Sequence, residues 1–478
     1  MNVDEIKRTV LRREKPLKED YERAEEVFRL MKERGLRILR EQGIEDADIM
    51  LVGSIAKDTW LRDDKDMDIF VLFPPSIKKE DLKIIGLRVA KSMAVEGYEE
   101  KYAEHPYVET TYMGFRIDIV PCFKVKSPKE IISAVDRTPF HTEYIRRRLR
   151  PYQKDEVRIL KRFLKGIGAY GAEVKVEGFS GYLTELLIIA YGSFEKVIKM
   201  VAKWRPWRVV IDVEGHHEDK GKVIKQFKTP LIVVDPVDPR RNAAAAVSLQ
   251  KMSEFIAAAQ QFLLKPSLVF FYPPQQVPLA SGELSAILKR SGTHIIAVRI
   301  RHPPMIPDIL WGELKRTFRG LWNLLDNGGF IVRDGHIWSD EEALSILLFE
   351  LERVELPRME VHRGPHVYDR ENALKFIKKY RGMGDRCIGP YIKNGRWYVY
   401  REREHSYVKD FIVARIRSTR LGKDIRELIG RGVEVYVDEE INMLLDNVEF
   451  SRELRKFLKK KPIWMVEHED KGQGRVLT

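Results

Sequence analysis

Cysteine is nearly absent from this chain: Cys122 and Cys387 are the only two in 478 residues, far apart and outside any CxxC or Cys/His spacing. That excludes a disulfide framework and a structural zinc, and it suits a reducing compartment. No stretch approaches the roughly 20 consecutive apolar residues of a membrane span, so bilayer insertion is not expected. The opening MNVDEIKRTVLRREKPLKED alternates acids and bases where a secretory leader would carry an apolar core, and a cytoplasmic protein is expected. Asparagine and glutamine are scarce while Glu, Lys and Arg abound, a bias associated with hot habitats. Internal repeats and low-complexity tracts are lacking too.

What is present is 44% hydrophobic and 33% charged, the balance of a globular protein, and the length suggests three or four domains. The net charge of +13 points to a polyanionic partner, because clustered Lys and Arg gain affinity by displacing counterions from phosphates.

Helical spacing runs from 18 to 43, ending at Gly43, and again from about 78 to 94. Between and after them DIMLVG, DMDIFVLF, YVETTYMG and FRIDIVP read as strands, so residues 1–140 are expected to form an α/β domain. Residues 141–265 read as a helical domain that includes GYLTELLIIAYGSFEKVIKMVAKW and RRNAAAAVSLQKMSEFIAAAQQFL. Three prolines in KTPLIVVDPVDPRR interrupt it. Residues 266–478 mix strands and helices, with a hairpin expected at Asp334-Gly335 and another at Asn394-Gly395. The whole is an α+β multidomain chain.

The acids of VGSIAKDTWLRDDKDMDIFVLF raise the chemical question. Asp63 and Asp64 read as solvated turn residues. Asp66 and Asp68, two apart on a strand, aim at one face, which makes either a polar strand end or half of a cation site. Asp118 is the lone acid in the apolar strand GFRIDIV, where a buried carboxylate needs a partner: Arg116, a helix or a cation. Three strand-borne carboxylates suit Mg²⁺, and two such ions about 3.5–4 Å apart can activate a hydroxyl and hold a departing pyrophosphate. Ahead of them Gly53 allows close backbone approach, Ser54 can donate to a phosphate, and Lys57 lies one turn further on.

A Gly-Ser pair, DMD and a later strand Asp, in this order, resemble the signature of polymerase-β-like nucleotidyltransferases. VGSIAKDTWL, DMDIFVLFP, RIDIVPCF, DRTPFHTEYI, GFSGYLTELLIIAYGSF and DPVDPRRNAAAAV together resemble the archaeal, class I CCA-adding family, with a weaker likeness continuing through HRGPHVYDREN. The resemblance implies an N-terminal nucleotidyltransferase head over 1–140, a helical neck over 141–265, and C-terminal α/β body and tail domains over 266–478 that bind tRNA. It implies template-independent addition of CCA to the tRNA 3′ end from CTP and ATP. A poly(A) polymerase of the same superfamily is the alternative.

Residue by residue, the likeness implies two Mg²⁺ ions on Asp66, Asp68 and Asp118, and nucleotide contacts from Gly53, Ser54, Lys57, His141, Lys161 and Tyr170. Relatives often carry Arg at the place of Lys57, and lysine keeps the charge without the bidentate fork. Read as residue types alone, His141, Lys161 and Tyr170 suit a cap, a solvated helix face and a core better; the likeness reverses that preference. Arg241 resembles an arginine that helps select the base; a salt bridge at the next helix is its plainer reading. The His216-His217-Glu218-Asp219 cluster reads as a solvated loop, and Trp204 and Trp207 as packing. KFIKKYRGMGDR and GRWYVYRERE interleave basic and aromatic residues as an RNA-binding surface does, or as a solvated helix and an amphipathic hairpin do. A homodimer is left open as the assembly.

Overall fold

The computed structural model describes residues 2–102, 106–280 and 282–465; residues 466–478 of the expected C-terminal region lie outside the described residues. It divides into two compact units, one made of residues up to Gln275 and from Lys461 onward, the other of Gln276–Lys460.

The first unit opens with α1 (Val3–Glu14), where Asn2 and Glu5 close a capping box, and α2 (Lys18–Glu41), whose Ala24, Val27, Met31, Ile38 and Leu39 make one buried stripe. Then come β1 (Asp48–Val52), the short α3 (Gly53–Lys57), β2 (Asp66–Phe73), α4 (Lys79–Met93), β3 (Glu96–Tyr102), β4 (Pro106–Tyr112) and β5 (Phe115–Phe123). The strands form one mixed sheet in the order β1-β2-β5-β4-β3, in which β2 and β5 run parallel and the other pairs antiparallel. Strand alternation sends Met67, Ile69, Val71, Ile117 and Ile119 into a core shared with α2 and α4. The intervening residues, the acids among them, therefore belong to the opposite face.

A second core gathers helices α5 (Arg137–Arg148), α6 (Pro151–Gly166), α7 (Gly181–Tyr191) and α8 (Phe194–Val201). The parallel pair β6 (Val209–Ile211) and β7 (Leu231–Val233) flanks α9 (Lys220–Phe227), and α10 (Leu249–Leu264) completes the group. Helix α1 contributes Ile6 and Val10 to this helical core rather than to the sheet. At its centre Phe163 is ringed by Phe194, Phe255, Phe262, Phe270 and Phe271 at centroid distances of 5.3–6.0 Å. Gly192, at φ +93°, breaks the long apolar run into α7 and α8, and Ser193 caps the second.

One helical expectation fails: RRNAAAAV is not helix. The Asn242 side chain accepts from the N–H groups of Val233 and Ala244 and donates to Leu231 O and Thr229 Oγ1, so the segment is pinned in an irregular turn and α10 waits for its Ser248 cap.

The second unit contains α11 (Glu283–Ser291), β8 (His294–Arg301), α12 (Pro307–Gly328), β9 (Val332–Ser339), β10 (Leu344–Leu351), β11 (Met359–His366), α13 (Arg370–Arg381), β12 (Cys387–Lys393), β13 (Arg396–Glu402), α14 (Val408–Arg415), α15 (Lys423–Gly430), β14 (Glu434–Val437) and α16 (Val448–Lys459). Its four-stranded antiparallel sheet, β14-β8-β10-β9, is apolar on both faces: Leu347, Phe349 and Leu351 join a core with α12, while Ile346 and Leu348 join another with α11 and α16. A separate three-stranded sheet, β11-β13-β12, packs on α13. Asn394 and Gly395 take positive φ and turn β12 into β13, as their pairing predicts. Asp334-Gly335 makes no hairpin but lies inside β9, paired to Phe349 and Glu350. Gly335 is there because a Cβ would meet the Phe318 ring at 2.5 Å.

Replacing Phe163 by alanine should cost about 3–5 kcal/mol, read as a lower denaturation midpoint of the helical core. A loss below about 1 kcal/mol would contradict its central place.

Candidate active site

The parallel register of β2 and β5 puts Asp68 directly opposite Asp118 and Asp66 opposite Arg116. Period-two alternation keeps all three acids on the face away from α2 and α4. Asp118 is half-buried, and its Oδ1 is buried without a hydrogen-bond partner. Asp66 is exposed and pairs with Arg116 at 2.9 Å. On the other side of β5, Glu109 of β4 stands opposite Asp118, so a fourth carboxylate lines the place; it is held by Lys101 at 2.9 Å. Sequence reading passed over Glu109 because YVETTYMG looks like an ordinary alternating strand.

At the end of β1, Val52 pairs with Asp68 and the chain turns at Gly53, at φ +72°. A Cβ there would lie 1.8 Å from Asp68 Oδ2. Glycine is thus required both by the backbone and by the carboxylate beside it. Ser54 follows in α3, half-buried.

Crowding shows in the acidities. Burial, then the neighbouring Asp68 and Glu109, push the Asp118 carboxyl up to about 7. Burial also raises Asp68, with Lys57 opposing and Asp66 reinforcing the shift. Among the described residues no group of three or more His, Cys, Asp or Glu side chains is disposed to hold a metal ion by itself. The unpartnered Asp118 oxygen beside a second half-buried carboxylate nevertheless fits a hard divalent cation whose remaining ligands are waters and substrate oxygens.

Helix α6 grips the loop that leads into β2. Arg158 donates to Trp60 O at 3.0 Å, Lys161 to Thr59 O at 2.9 Å, and Lys165 to Asp64 at 2.5 Å. Asp64 is therefore not a solvated turn acid; Lys165, one turn beyond Lys161, neutralises it. Lys161 is buried, and desolvation brings its ammonium down to about 8. Lys57 reaches Glu185 of α7 at 2.6 Å, and Thr59 Oγ1 donates to the other Glu185 oxygen at 2.5 Å. Glu185 is fully buried and was missed, although a lone acid in TELLII carries the same signal that singled out Asp118. Tyr170 bridges to Phe179 and stands against Gly181, whose absent Cβ would lie 3.0 Å from its hydroxyl and 3.6 Å from Lys161 Nζ. Burial, then Asp64 and Glu185, raise its phenol.

His141 of α5 and Arg241 are brought together by Asp235, also missed, the first acid after the apolar LIVV. Its Oδ2 receives His141 Nε2 at 2.9 Å and Arg241 Nη1 at 2.8 Å, and its Oδ1 the Tyr182 hydroxyl at 3.0 Å. Burial works to raise the Asp235 carboxyl, but the His141 bond and charge hold it below the ordinary range.

Of the remaining candidates, two histidines lie against the loop that carries Asp235 and Arg241. His216 and His217 each face a backbone carbonyl, of Pro236 and Pro239, and Asp219 caps α9. Trp204 is buried in the helical core; Trp207 is half exposed. In the second unit, Arg386, Arg401, Arg403 and Arg415 line a cavity of about 590 Å³, but Arg401 and Arg403 are both tied to Glu360, and Arg415 to Glu404. The cleft is of mixed charge rather than a bare basic patch.

A mixed sheet carrying paired aspartates beyond a Gly-Ser turn defines a polymerase-β-like nucleotidyltransferase. Family models agree: residues 32–141 match the nucleotidyltransferase domain, 155–272 the second domain of tRNA nucleotidyltransferase, and 291–438 the C-terminal domain of the CCA-adding enzyme. The chain is 43% identical to the CCA-adding enzyme of Methanoregula boonei over 386 residues, 80% of this chain and 82% of that one. It is 36% identical to that of Methanosarcina barkeri over 95% of this chain and 98% of that one, and 37% identical to that of Archaeoglobus fulgidus over 92% and 96%. The chain belongs to the CCA-adding enzyme family. A solved structure of Cid1 poly(U) polymerase aligns with 56% of this chain and 96% of that one, at 16% identity and a TM-score of 0.45.

Because Asp118 holds its proton up to about 7 when folded but only to about 3.8 when unfolded, its contribution to stability is full at low pH and is lost as pH rises through about 7. In chelating buffer at pH near 8, Asp118→Asn should therefore unfold at a higher denaturant midpoint than the parent, with the two converging near pH 4. Equal midpoints throughout would refute the strained carboxyl.

Proposed function

We propose that this enzyme adds and repairs the 3′-terminal CCA of tRNA, taking CTP and ATP in turn without a nucleic-acid template and releasing pyrophosphate. The carrying observation is the unpartnered Asp118 carboxylate beside Asp68, in a chain matching CCA-adding enzymes along most of its length. The tRNA 3′ oxygen bonds to the α-phosphorus of the incoming nucleotide as the bond to the bridging oxygen of the β-phosphate breaks. Asp66, Asp68 and Asp118 would hold two Mg²⁺ ions, which supply Lewis-acid charge to the reacting oxygens.

The protein's own groups chiefly position and screen. Gly53 lets the backbone lie against Asp68, leaving room for a triphosphate near Ser54. Lys57, tethered to Glu185, and Lys161, tethered to Thr59, hold positive charge where phosphate oxygens arrive. Tyr170 stays neutral, so it offers a hydroxyl and a ring face but no charge. His141 is read as a nucleotide contact, and Arg241, held beside it by Asp235, as the group that faces the base. We assign residues 1–140 as head, 141–265 as neck and 266–478 as tRNA-binding body and tail; separate sheet and helical cores support the first division, with α1 and the residues Phe270, Phe271 and Trp464 packing on the neck side. Net positive charge supports an RNA partner. No helix among the described residues is long and apolar enough to cross a membrane; we place the reaction in the cytoplasm because its substrate is tRNA. The proposal leaves room for a homodimer, which a sedimentation mass would reveal.

Incubation with tRNA lacking its terminal CCA should incorporate both labelled CTP and labelled ATP; ATP alone, entering any RNA, would mark a poly(A)-type enzyme instead. Asp118→Ala should lower turnover by at least about a thousandfold while leaving tRNA affinity within roughly threefold. Undiminished turnover would overturn the assignment of the acids.

A further inference from the structure

Asp235 is fully buried and saturated by donors. His141 and Arg241 share its Oδ2, and Tyr182 and the Val237 N–H share its Oδ1, all at 2.8–3.0 Å. The His141 and Tyr182 rings stack with centroids 4.1 Å apart, so the imidazole is fixed in plane as well as at Nε2. The loop carrying Arg241 is closed on itself: Asp235 N–H donates to Arg241 O at 3.0 Å, and Arg241 N–H to Asp238 O at 2.9 Å. Next along the chain, Asn242 anchors it to β7 with bonds to Val233 N–H and Leu231 O. Yet the Arg241 side chain is 41% exposed. One guanidinium nitrogen is committed to Asp235 while part of the group remains open to a ligand.

We infer that Asp235 is the positioning residue for base selection. It touches no substrate; it locks the Arg241 fork and the His141 ring into one rigid unit. The donors offered to a cytosine or adenine edge are then set before the nucleotide binds, and a base with the wrong acceptor pattern meets groups that cannot turn to suit it. This rests on the reading that Arg241 and His141 face the nucleotide.

The test compares kcat/KM for CTP against UTP, and ATP against GTP, on tRNAs lacking the appropriate end residues. Asp235→Asn, close in shape but uncharged, should narrow discrimination by on the order of tenfold. The change should come through a raised KM for the correct nucleotide more than through kcat. Arg241→Ala should narrow it similarly, and the double variant should be no worse than Arg241→Ala alone, because both act through one element. Discrimination equal to wild type in Asp235→Asn, effects that add in the double variant, or an equal fall in kcat for all four nucleotides would each overturn the inference. The last is what a purely structural role would give. If Asp235→Asn does not fold, Arg241→Lys serves: lysine can keep the ion pair but loses the fork, so discrimination should fall, and a lysine enzyme as selective as wild type overturns the inference. A wild type that adds neither CTP nor ATP would instead remove the functional reading on which it stands.

Discussion

The site depends on one constraint: β2 and β5 run parallel and in register, so Asp68 and Asp118 are forced side by side on a half-buried face. Among the described residues, neither acid has an ion pair of its own with a protein cation. Arg116 is drawn off to Asp66 and Glu109, and Lys57 to Glu185. Like charges that cannot separate and are poorly hydrated keep a proton or take a metal, and the raised Asp118 carboxyl is the visible consequence. A fold that removed this stress with a lysine between the strands would be more stable and would have no place for the cation.

Around that pair, α7 acts as a post. Its first turn carries Tyr182, which reaches Asp235, and one turn later Glu185 reaches Lys57 and Thr59. Gly181, at its start, leaves space for Tyr170 and Lys161. Three residues apart on a helix means the same face, so one rigid element braces both Lys57 and the His141–Arg241 unit, the groups we propose for phosphate and base. The polar groups of α7 lie next to a dense aromatic core built on Phe163, which explains why a helix with buried Thr184 and Glu185 is tolerated: rigidity comes from the core, and the polar groups are all paired.

Much of this was legible in the chain itself. The period-two acids of DMDIF, the lone acid in RIDIV and the Gly-Ser turn are local patterns, and the type I′ turn at Asn394-Gly395 needs only its own two residues. Expectations failed where distant contacts overrode local preference. Asp334-Gly335 looked like a turn, but the glycine makes room for Phe318 inside a strand. The alanine run after Arg241 looked helical, but Asn242 holds it elsewhere. Asp64 looked solvated, until Lys165 met it from another helix.

By itself the sequence determined which strand face bears the acids, where the Asn394-Gly395 turn falls and which family the chain resembles, because alternation, positive φ and motif order are properties of short segments. Tertiary structure alone decided that Asp68 faces Asp118, that Lys57 is tied to Glu185, and that His141 and Arg241 meet on Asp235. Those pairs are separated by 50, 128, 94 and 6 residues. No local rule says which buried carboxylate a distant cation will find; only the packing of sheet against helices brings them within reach.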